Sequence, residues 1–206
     1  YILLHAEARA RAVAPVGYLD DDPALSGRAF LGLPVLGPLS ELPRVAHDAV
    51  IVAIGDNSAR ASIFEGLERQ GERFARAIHP SAVLGSDLVL GRGIMICAGV
   101  VVNTATRIGD NAILNTGCTV DHHNRIGAHA HVAPGAHTGG GVEIGQGTFL
   151  GIGSVVLPGK RVGDWAIVGG GAAVVRDVPP YAIAVGVPAR VVSGPDARPP
   201  DRCVRG

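Results

Sequence analysis

The sequence predicts a β-solenoid preceded by a small α/β domain. A hydrophobic residue occupies fifteen of the sixteen positions that lie six residues apart from residue 84 to residue 174, and glycine is the commonest residue directly after them. An α-helix would need a 3.6-residue period and would not accept glycine at this rate, so the period predicts short strands joined by corners. Before the repeat, a continuous apolar segment over residues 49–54 is typical of a buried parallel strand.

The N-terminal part alternates between helix and strand signals. Residues 1–12 carry apolar side chains at helical spacing, and residues 16–19 form a short apolar strand that ends at an acidic, proline-containing turn. The apolar strand at 49–54 precedes a turn, and a helix follows from Ser58 to about Gln70. Residues 73–78 form a further strand. The order α-β-β-α-β predicts a small doubly wound domain.

The repeat runs without an insertion or a deletion. Three units would close one triangular coil, so we expect five coils and one further face. Gly, Asn and Asp dominate the next position, and because they tolerate positive φ we expect the corner there. Fifteen of the sixteen period-six residues are Leu, Ile or Val: Leu84, Leu90, Ile96, Val102, Ile108, Leu114, Val120, Ile126, Val132, Thr138, Ile144, Leu150, Val156, Val162, Val168 and Val174.

Composition excludes several functional classes. The chain has 206 residues, of which 47% are hydrophobic and 17% charged, with 18 basic and 18 acidic side chains. A neutral chain argues against a nucleic-acid or anionic-membrane partner.

Three cysteines without a CxxC pair indicate no disulfide framework and a reducing, cytoplasmic location. No apolar run of transmembrane length and no signal peptide is evident, and since the first residue is Tyr1 we expect the chain to begin inside its gene product.

A histidine cluster is the candidate site. Five of eight histidines lie between residues 122 and 137, and a histidine on a rigid corner can act as an acid or base. Two other interpretations stay open: solvated surface histidines, or zinc ligands, although no cysteine or carboxylate joins the cluster at a recognisable spacing. The glycines at 139–141 and 169–171 leave backbone N–H groups that could bind an oxyanion or a pantetheine arm, or could serve only as flexible turns.

Several motifs together resemble a known family, the hexapeptide-repeat acyltransferases. The resemblance is closest to the branch of sialic-acid O-acetyltransferases and nucleotide-amino-sugar N-acetyltransferases, and it covers nearly the whole chain. The motifs that carry it are Tyr18-Leu19-Asp20-Asp21, Ile54-Gly55-Asp56-Asn57 with Arg60, Ile78-His79-Pro80-Ser81-Ala82, Leu114-Asn115-Thr116, Asp121-His122-His123, His131-Val132-Ala133-Pro134-Gly135-Ala136, Gly151-Ile152-Gly153-Ser154, Gly169-Gly170-Gly171-Ala172 and Gly186-Val187-Pro188-Ala189.

The resemblance implies the fold and the assembly. We expect a Rossmann-like sugar-nucleotide-binding domain over residues 1–78, a left-handed parallel β-helix acyltransferase domain over 79–192 and a mobile tail over 193–206. It further implies a homotrimer with active sites between neighbouring solenoids.

The resemblance also implies the site residues. His122 matches the general base of a direct acetyl transfer from acetyl-CoA to an amine or hydroxyl of a nucleotide-activated sugar, without a metal. Asn115, Asp20 and Asp21 match residues on the sugar-nucleotide side. The residues that match the acetyl-CoA side are His131, Ile152 and Gly170, and the open glycine run 139–141 adds Gly140 as a further candidate for that side.

The chain departs from the family pattern at two places. The family has Glu or Asp directly after the catalytic histidine, and here His123 stands there, so Asp121 or a neighbouring subunit would have to supply a carboxylate. The family also begins with a strand and a glycine-rich loop, which we expect to be missing because Tyr1 lies inside the first helix. Two other functions remain open: a zinc lyase on the same solenoid, like the γ-type carbonic anhydrases, and a non-catalytic trimeric scaffold.

Overall fold

The computed structural model describes residues 14–194. The helix expected over residues 1–12 and residues 195–206 of the expected tail therefore lie outside the described part. One α-helix, α1 (Asn57–Arg69), and two 3-10 helices (Pro23–Leu25 and Leu39–Arg44) accompany the strands. The strands are β1 (Tyr18–Leu19), β2 (Ala29–Phe30), β3 (Leu33–Gly37), β4 (Ala77–Ile78), β5 (Val83–Leu84), β6 (Val89–Leu90), β7 (Met95–Ile96), β8 (Val101–Val102), β9 (Arg107–Ile108), β10 (Ile113–Leu114), β11 (Thr119–Val120), β12 (Arg125–Ile126), β13 (His131–Val132), β14 (His137–Thr138), β15 (Glu143–Ile144), β16 (Phe149–Leu150), β17 (Val155–Val156), β18 (Arg161–Val162), β19 (Ile167–Val168), β20 (Ala173–Val174), β21 (Ile183–Val185) and β22 (Arg190–Ser193).

The solenoid is a left-handed parallel β-helix with three flat faces. Face 1 holds β4, β7, β10, β13, β16, β19 and β21, face 2 holds β5, β8, β11, β14, β17 and β20, and face 3 holds β6, β9, β12, β15 and β18. Within a face, each strand pairs in parallel with the equivalent strand of the next coil, as Leu114 with Val132 and Val120 with Thr138. Each of the sixteen strands β5–β20 ends on a predicted period-six residue, so the predicted repeat is confirmed.

The solenoid core consists of these inward residues and a second set of small ones. On face 1, Ile96, Leu114, Val132, Leu150 and Val168 stack in one column with 0% exposure. Small side chains fill the space at the corners, among them Ala112, Cys118, Ala130, Ala136 and Ala166. Because equivalent positions stack on each other once per coil, each layer must be equally thin, and this explains the scarcity of aromatic residues.

The predicted corner conformation is wrong by two positions. Positive φ occurs three residues after fifteen of the sixteen period-six residues, as at His123, Gly135 and Gly153, not at the glycine directly after them. That glycine has a different role. A Cβ at Gly109 or Gly127 would lie 2.5 Å from a backbone nitrogen of the next coil, so glycine permits the close approach of two backbones.

The N-terminal domain is a three-stranded sheet with α1 packed beside it. The order is β1-β3-β2, with β1 parallel and β2 antiparallel to β3, and the hairpin of β2 and β3 was not predicted. The predicted strand at 49–54 is reduced to a single parallel bridge between Val50 and Phe74, because its other residues find no strand partner within residues 14–194. Helix α1 begins one residue before the predicted Ser58, because the Asp56 side chain accepts a hydrogen bond from Ala59 N at 2.7 Å. It ends before Gly71, as predicted.

A buried arginine joins α1 to the solenoid. Arg60 is 0% exposed, and its guanidinium donates to the carbonyls of Asn111 (3.1 Å) and His129 (2.7 Å) on the solenoid. It also donates to the Ile54 carbonyl at 2.9 Å and to Asn57 Oδ1 at 2.8 Å within its own domain. Burial lowers the pKa of Arg60 to about 10, which still leaves it charged at neutral pH.

We predict that Arg60→Ala destabilises the fold strongly. The substitution leaves buried carbonyls of both domains without donors and opens a cavity, so the free energy of unfolding should fall by about 3 kcal/mol. Denaturant unfolding measures this change. Arg69→Ala, at the exposed end of the same helix, is the matched control and should change the free energy by less than about 0.5 kcal/mol. Equal effects of the two variants would contradict the role of Arg60.

Candidate functional site

His122 lies in the four-residue turn between face 2 and face 3. Strand β11 ends at Val120, residues 121–124 turn the corner, and β12 begins at Arg125. His123 adopts φ +58°, and its backbone N–H donates to the Thr104 carbonyl of the preceding coil at 3.0 Å. Asn124 is buried and donates to the carbonyls of Asp121 (2.7 Å) and Gly139 (2.9 Å). The turn is therefore held from both neighbouring coils.

The ring of His122 is partnered by His123 and not by Asp121. The Nδ1 atoms of the two histidines lie 3.0 Å apart, and the rings are nearly perpendicular at 85°. Asp121 Oδ1 accepts from Asn103 Nδ2 and from the backbone N–H of His122, both at 2.8 Å. These hydrogen bonds, the one from Asn103 first, lower the pKa of Asp121. Asp121 therefore holds the turn as a carboxylate, while His123 stands at the ring nitrogen.

A contact between two Nδ1 atoms requires one N–H and one lone pair. When the Nδ1–H of His122 donates to His123, the Nε2 of His122 carries a lone pair and can accept a proton. A neutral imidazole can orient the base in this way as a carboxylate would, but it adds no negative charge. The geometry therefore supplies a positioned base whose partner is an imidazole and not a carboxylate.

Gly140 lies against the His122 ring in the next coil. A Cβ at Gly140 would be 2.5 Å from Cε1 and 2.6 Å from Nε2 of His122, so only glycine leaves room for the imidazole. The neighbours Gly139 and Gly141 donate their N–H groups to the carbonyls of Val156 and His122, at 2.9 Å each. Within residues 14–194 the Gly140 N–H has no acceptor. An open backbone donor thus lies beside the base.

Asn115 and His131 form a second polar group on face 1. The Asn115 amide donates from Nδ2 to His131 Nε2 at 3.1 Å, while its Oδ1 accepts from Thr116 N at 2.8 Å. The ring of His131 packs edge-on against Phe149. Burial, with a smaller contribution from the charge of Arg60, lowers the pKa of His131 to about 4. His131 is therefore neutral at physiological pH, with its proton on Nδ1.

The two predicted contacts for acetyl-CoA on the next coils stack above one another. Ile152 is 65% exposed at the corner between faces 1 and 2, and Gly170 lies one coil further, where a Cβ would be 3.3 Å from the Ile152 carbonyl. In the part of the chain that the structure describes, neither backbone N–H has an acceptor. The residue before each of them is a glycine, Gly151 or Gly169, which has no side chain that could accept the backbone N–H. At the equivalent place in the His122 turn, the side chain of Asp121 accepts the backbone N–H of His122.

The two acidic residues predicted on the nucleotide side follow β1. Asp20 Oδ1 accepts from Asp22 N at 2.9 Å, and Asp21 Oδ1 accepts from Leu39 N at 2.8 Å. Asp21 borders a groove of about 450 Å³ between the 3-10 helix Leu39–Arg44 and α1. These contacts hold the loop at the carboxyl end of β1.

One chain does not bring all predicted residues together. His122, His123 and Gly140 lie at the corner of faces 2 and 3, whereas Asn115 and His131 lie on face 1, and no hydrogen bond between described residues joins the two groups. The other clustered histidines serve the structure. His129 is 5% exposed, contacts Phe64 edge-on and accepts from Asn111 Nδ2 at 2.9 Å, and His137 Nδ1 lies 2.8 Å from Thr119 Oγ1.

Sequence reasoning missed the residues that join the domains. Arg60 was part of a motif, but its contacts with Asn111 and His129 join positions 51 and 69 residues apart in sequence. Asn57 adds hydrogen bonds to the carbonyls of Gly147 (3.0 Å) and Thr148 (3.2 Å). The only sequence signal for this junction was Arg60 itself, an arginine that follows the motif Ile54-Gly55-Asp56-Asn57, in which few other charges occur.

Residues 14–194 contain neither a potential metal site nor a membrane-spanning helix. Among them, no three His, Cys, Asp or Glu side chains are grouped so that they could hold a metal ion. In the same segment, α1 is too short and polar to cross a bilayer.

Comparisons with known proteins identify the family. Residues 5–67 match the family model described as the PglD N-terminal domain. PerB from Caulobacter crescentus, solved in complex with CoA and GDP-perosamine, is 42% identical, with 86% of this chain and 84% of that chain covered and a TM-score of 0.82. The acetyltransferase domain of PglB from Neisseria gonorrhoeae, solved with acetyl coenzyme A, is 30% identical, with coverage of 93% and 92% and a TM-score of 0.85.

Curated relatives match over shorter segments. The UDP-N-acetylbacillosamine N-acetyltransferase of Bacillus subtilis (strain 168) is 38% identical over 61 residues, which are 29% of this chain and 28% of that protein. The chain spans 57% or less of the length of the first curated relatives that it matches. The match to PerB nevertheless extends over both domains, and the chain belongs to the hexapeptide-repeat family of nucleotide-amino-sugar acetyltransferases.

Proposed function

We propose that the protein transfers the acetyl group of acetyl-CoA to the amino group of a nucleotide-linked amino sugar, with His122 as the general base. The observation that carries this proposal is the His122 ring, which lies against Gly140 with Nδ1 bound to His123 and with no partner for Nε2 among residues 14–194. The relatives support the substrates: PerB was solved with CoA and GDP-perosamine, and the Bacillus subtilis relative is named as an N-acetyltransferase of a UDP-linked sugar. These names favour an amine over a hydroxyl acceptor.

The reaction would proceed in one direct transfer. The amine nitrogen attacks the thioester carbonyl carbon while His122 Nε2 takes a proton from that nitrogen. The carbonyl oxygen becomes an oxyanion, and the open N–H of Gly140 could donate to it. When the C–S bond breaks, the CoA sulfur leaves with the proton that His122 returns. A base in this position accelerates such a step by roughly 10²–10⁴-fold.

The residues on the other faces would bind the two substrates. Neutral His131, fixed by Asn115, would form an uncharged wall beside the acetyl group, and the open N–H groups of Ile152 and Gly170 offer donors along the corner for the pantetheine amides. Asp20 and Asp21 would face the nucleotide from the carboxyl end of β1, where ligands of open parallel sheets bind.

We predict that His122→Ala lowers kcat by about 10²–10⁴-fold while the affinity for acetyl-CoA changes little, because only the proton acceptor is lost. His123→Ala should be milder, because His123 orients the base without touching the reacting atoms. His123→Glu should equal or exceed the unsubstituted protein, because a carboxylate stabilises the imidazolium of His122. Steady-state kinetics with acetyl-CoA and a panel of nucleotide amino sugars measures all three. A large loss in His123→Ala with full activity in His122→Ala would reverse the assignment.

We predict that Gly140→Ala lowers kcat by about 10²-fold, because the added methyl group displaces the His122 ring. The control is a double-mutant cycle. Once His122 is alanine, the methyl group at residue 140 meets no ring, so the double variant should be as active as His122→Ala alone. Additive losses would show that Gly140 acts independently of His122.

We infer that the protein assembles as a homotrimer and that each site is built by two subunits, because His122 and His131 lie on different faces of one chain. Mixing inactive His122→Ala subunits with inactive His131→Ala subunits under exchange conditions should restore part of the activity. Each mixed trimer then contains an interface with both histidines intact. Light scattering checks the trimer, and a monomer at micromolar concentration or an inactive mixture would contradict the shared site.

A further inference from the structure

Face 3 carries a column of charged side chains next to the His122 corner. Its outward positions are in register from one coil to the next, so Arg107 lies opposite Arg125, Arg125 opposite Glu143 and Glu143 opposite Arg161. Neighbouring strands of a sheet lie about 4.8 Å apart, which brings these side chains into direct contact range along the solenoid axis.

Only the part of the column nearer the C-terminus, Glu143 and Arg161, forms an ion pair. Arg161 Nε lies 3.0 Å from Glu143 Oε2 and forms an ion pair with it. Arg107 and Arg125 have neither an ion-pair partner nor a hydrogen-bond acceptor among residues 14–194, and both side chains are exposed. Like charges directly opposite on neighbouring strands repel each other, so this pair costs stability unless an anion joins it.

The arginine pair adjoins the turn that holds His122. Arg125 is the first residue of β12, directly after the turn 121–124 that holds His122. A shallow groove of about 570 Å³ runs along face 3, and Arg107, Arg125 and Glu143 line it. The other edge of the groove is lined by glycines at 109, 127 and 145, with the carboxylates of Asp110 and Asp164 at its two ends.

We propose that Arg107 and Arg125 bind a pyrophosphate group of a substrate whose reacting end lies at His122. This inference rests on the proposed function. Guanidinium groups match phosphate oxygens with two parallel N–H donors each, and two of them on neighbouring strands suit a group with two linked phosphates. Both substrates of the proposed reaction carry a pyrophosphate, the nucleotide sugar and CoA, and the chemistry of the arginine pair is the same for either.

Steady-state kinetics of Arg107→Ala and Arg125→Ala tests the proposal and distinguishes the two sources. Each variant should raise the KM of one substrate about tenfold, with a much smaller effect on kcat, because the arginines bind and do not react. If CoA is that substrate, the variants should not change the KM for acetyl-pantetheine, which lacks the pyrophosphate. If the nucleotide sugar is that substrate, its KM should rise with either acetyl donor.

Arg161→Ala is the matched control on the same face. Its guanidinium is already paired with Glu143, and loss of an exposed ion pair has little effect, so both KM values should stay within about twofold. Unchanged KM values for both substrates in Arg107→Ala and Arg125→Ala would overturn the proposal. A rise of the same size in Arg161→Ala would also overturn it, because it would indicate a general charge effect.

Calorimetric titration with CoA, GDP and inorganic pyrophosphate separates this inference from the proposed function. If no acceptor is acetylated but at least one of these ligands binds about tenfold more weakly to Arg107→Ala and Arg125→Ala than to Arg161→Ala, the arginine site stands and the proposed function fails. If turnover is normal and all three ligands bind equally to every variant, the proposed function stands and the arginine site fails.

Discussion

The structure depends on one buried cation. Arg60 reaches from α1 into the junction of the two domains, and its guanidinium donates to carbonyls of Ile54, Asn111 and His129. Its hydrogen-bond acceptors in the structure are carbonyl and amide oxygens, so dipoles and not a bound carboxylate stabilise the charge. Burial of the guanidinium lowers the pKa of Arg60. Such an arrangement tolerates little displacement, because each lost acceptor leaves a charged donor without a partner. The guanidinium thereby fixes the segment before α1 relative to the solenoid corners that hold Asn111 and His129.

A second constraint is the register between coils, in which each position stacks on its equivalent one coil away. Every coil must rise by one strand spacing, so a side chain at a corner meets the backbone or side chain of the same position in the next coil. His122 and Gly140 are a direct result, since a ring at one coil requires an empty position at the next. Arg107 and Arg125 are another, since two like residues one coil apart must face each other. Function and packing therefore follow from the same spacing.

Much of the fold could be predicted because the repeat is a local pattern. The inward aliphatics and the strand ends follow from the period alone, and His122 could be placed by counting from Val120. The sixteen predicted units fall two short of the eighteen strands on the three faces, because β4 and β21 lie outside residues 84–174. The positive-φ position could not, because glycine occurs at both corner positions for different reasons: close backbone approach at Gly109 and a left-handed conformation at Gly135. The hairpin of β2 and β3 was missed because Pro34 and the flanking glycines hide its strand pattern.

The partner of His122 is the part of the site that lies beyond sequence reasoning, because both Asp121 and His123 adjoin it. His123 has a left-handed φ and its Nδ1 lies 3.0 Å from Nδ1 of His122, whereas the carboxylate of Asp121 is occupied by Asn103 and a backbone N–H. An imidazole partner imposes a condition that a carboxylate does not. His123 can accept the Nδ1–H of His122 only through a lone pair on its own Nδ1, so a proton on that nitrogen of His123 breaks the hydrogen bond, whereas a proton on His122 Nε2 leaves it intact. A carboxylate partner would become more strongly bound as His122 gains its proton, whereas here the positive charge formed during the reaction is shared with a neutral neighbour. The pair therefore orients the base as a carboxylate would, but without the negative charge that a carboxylate would add.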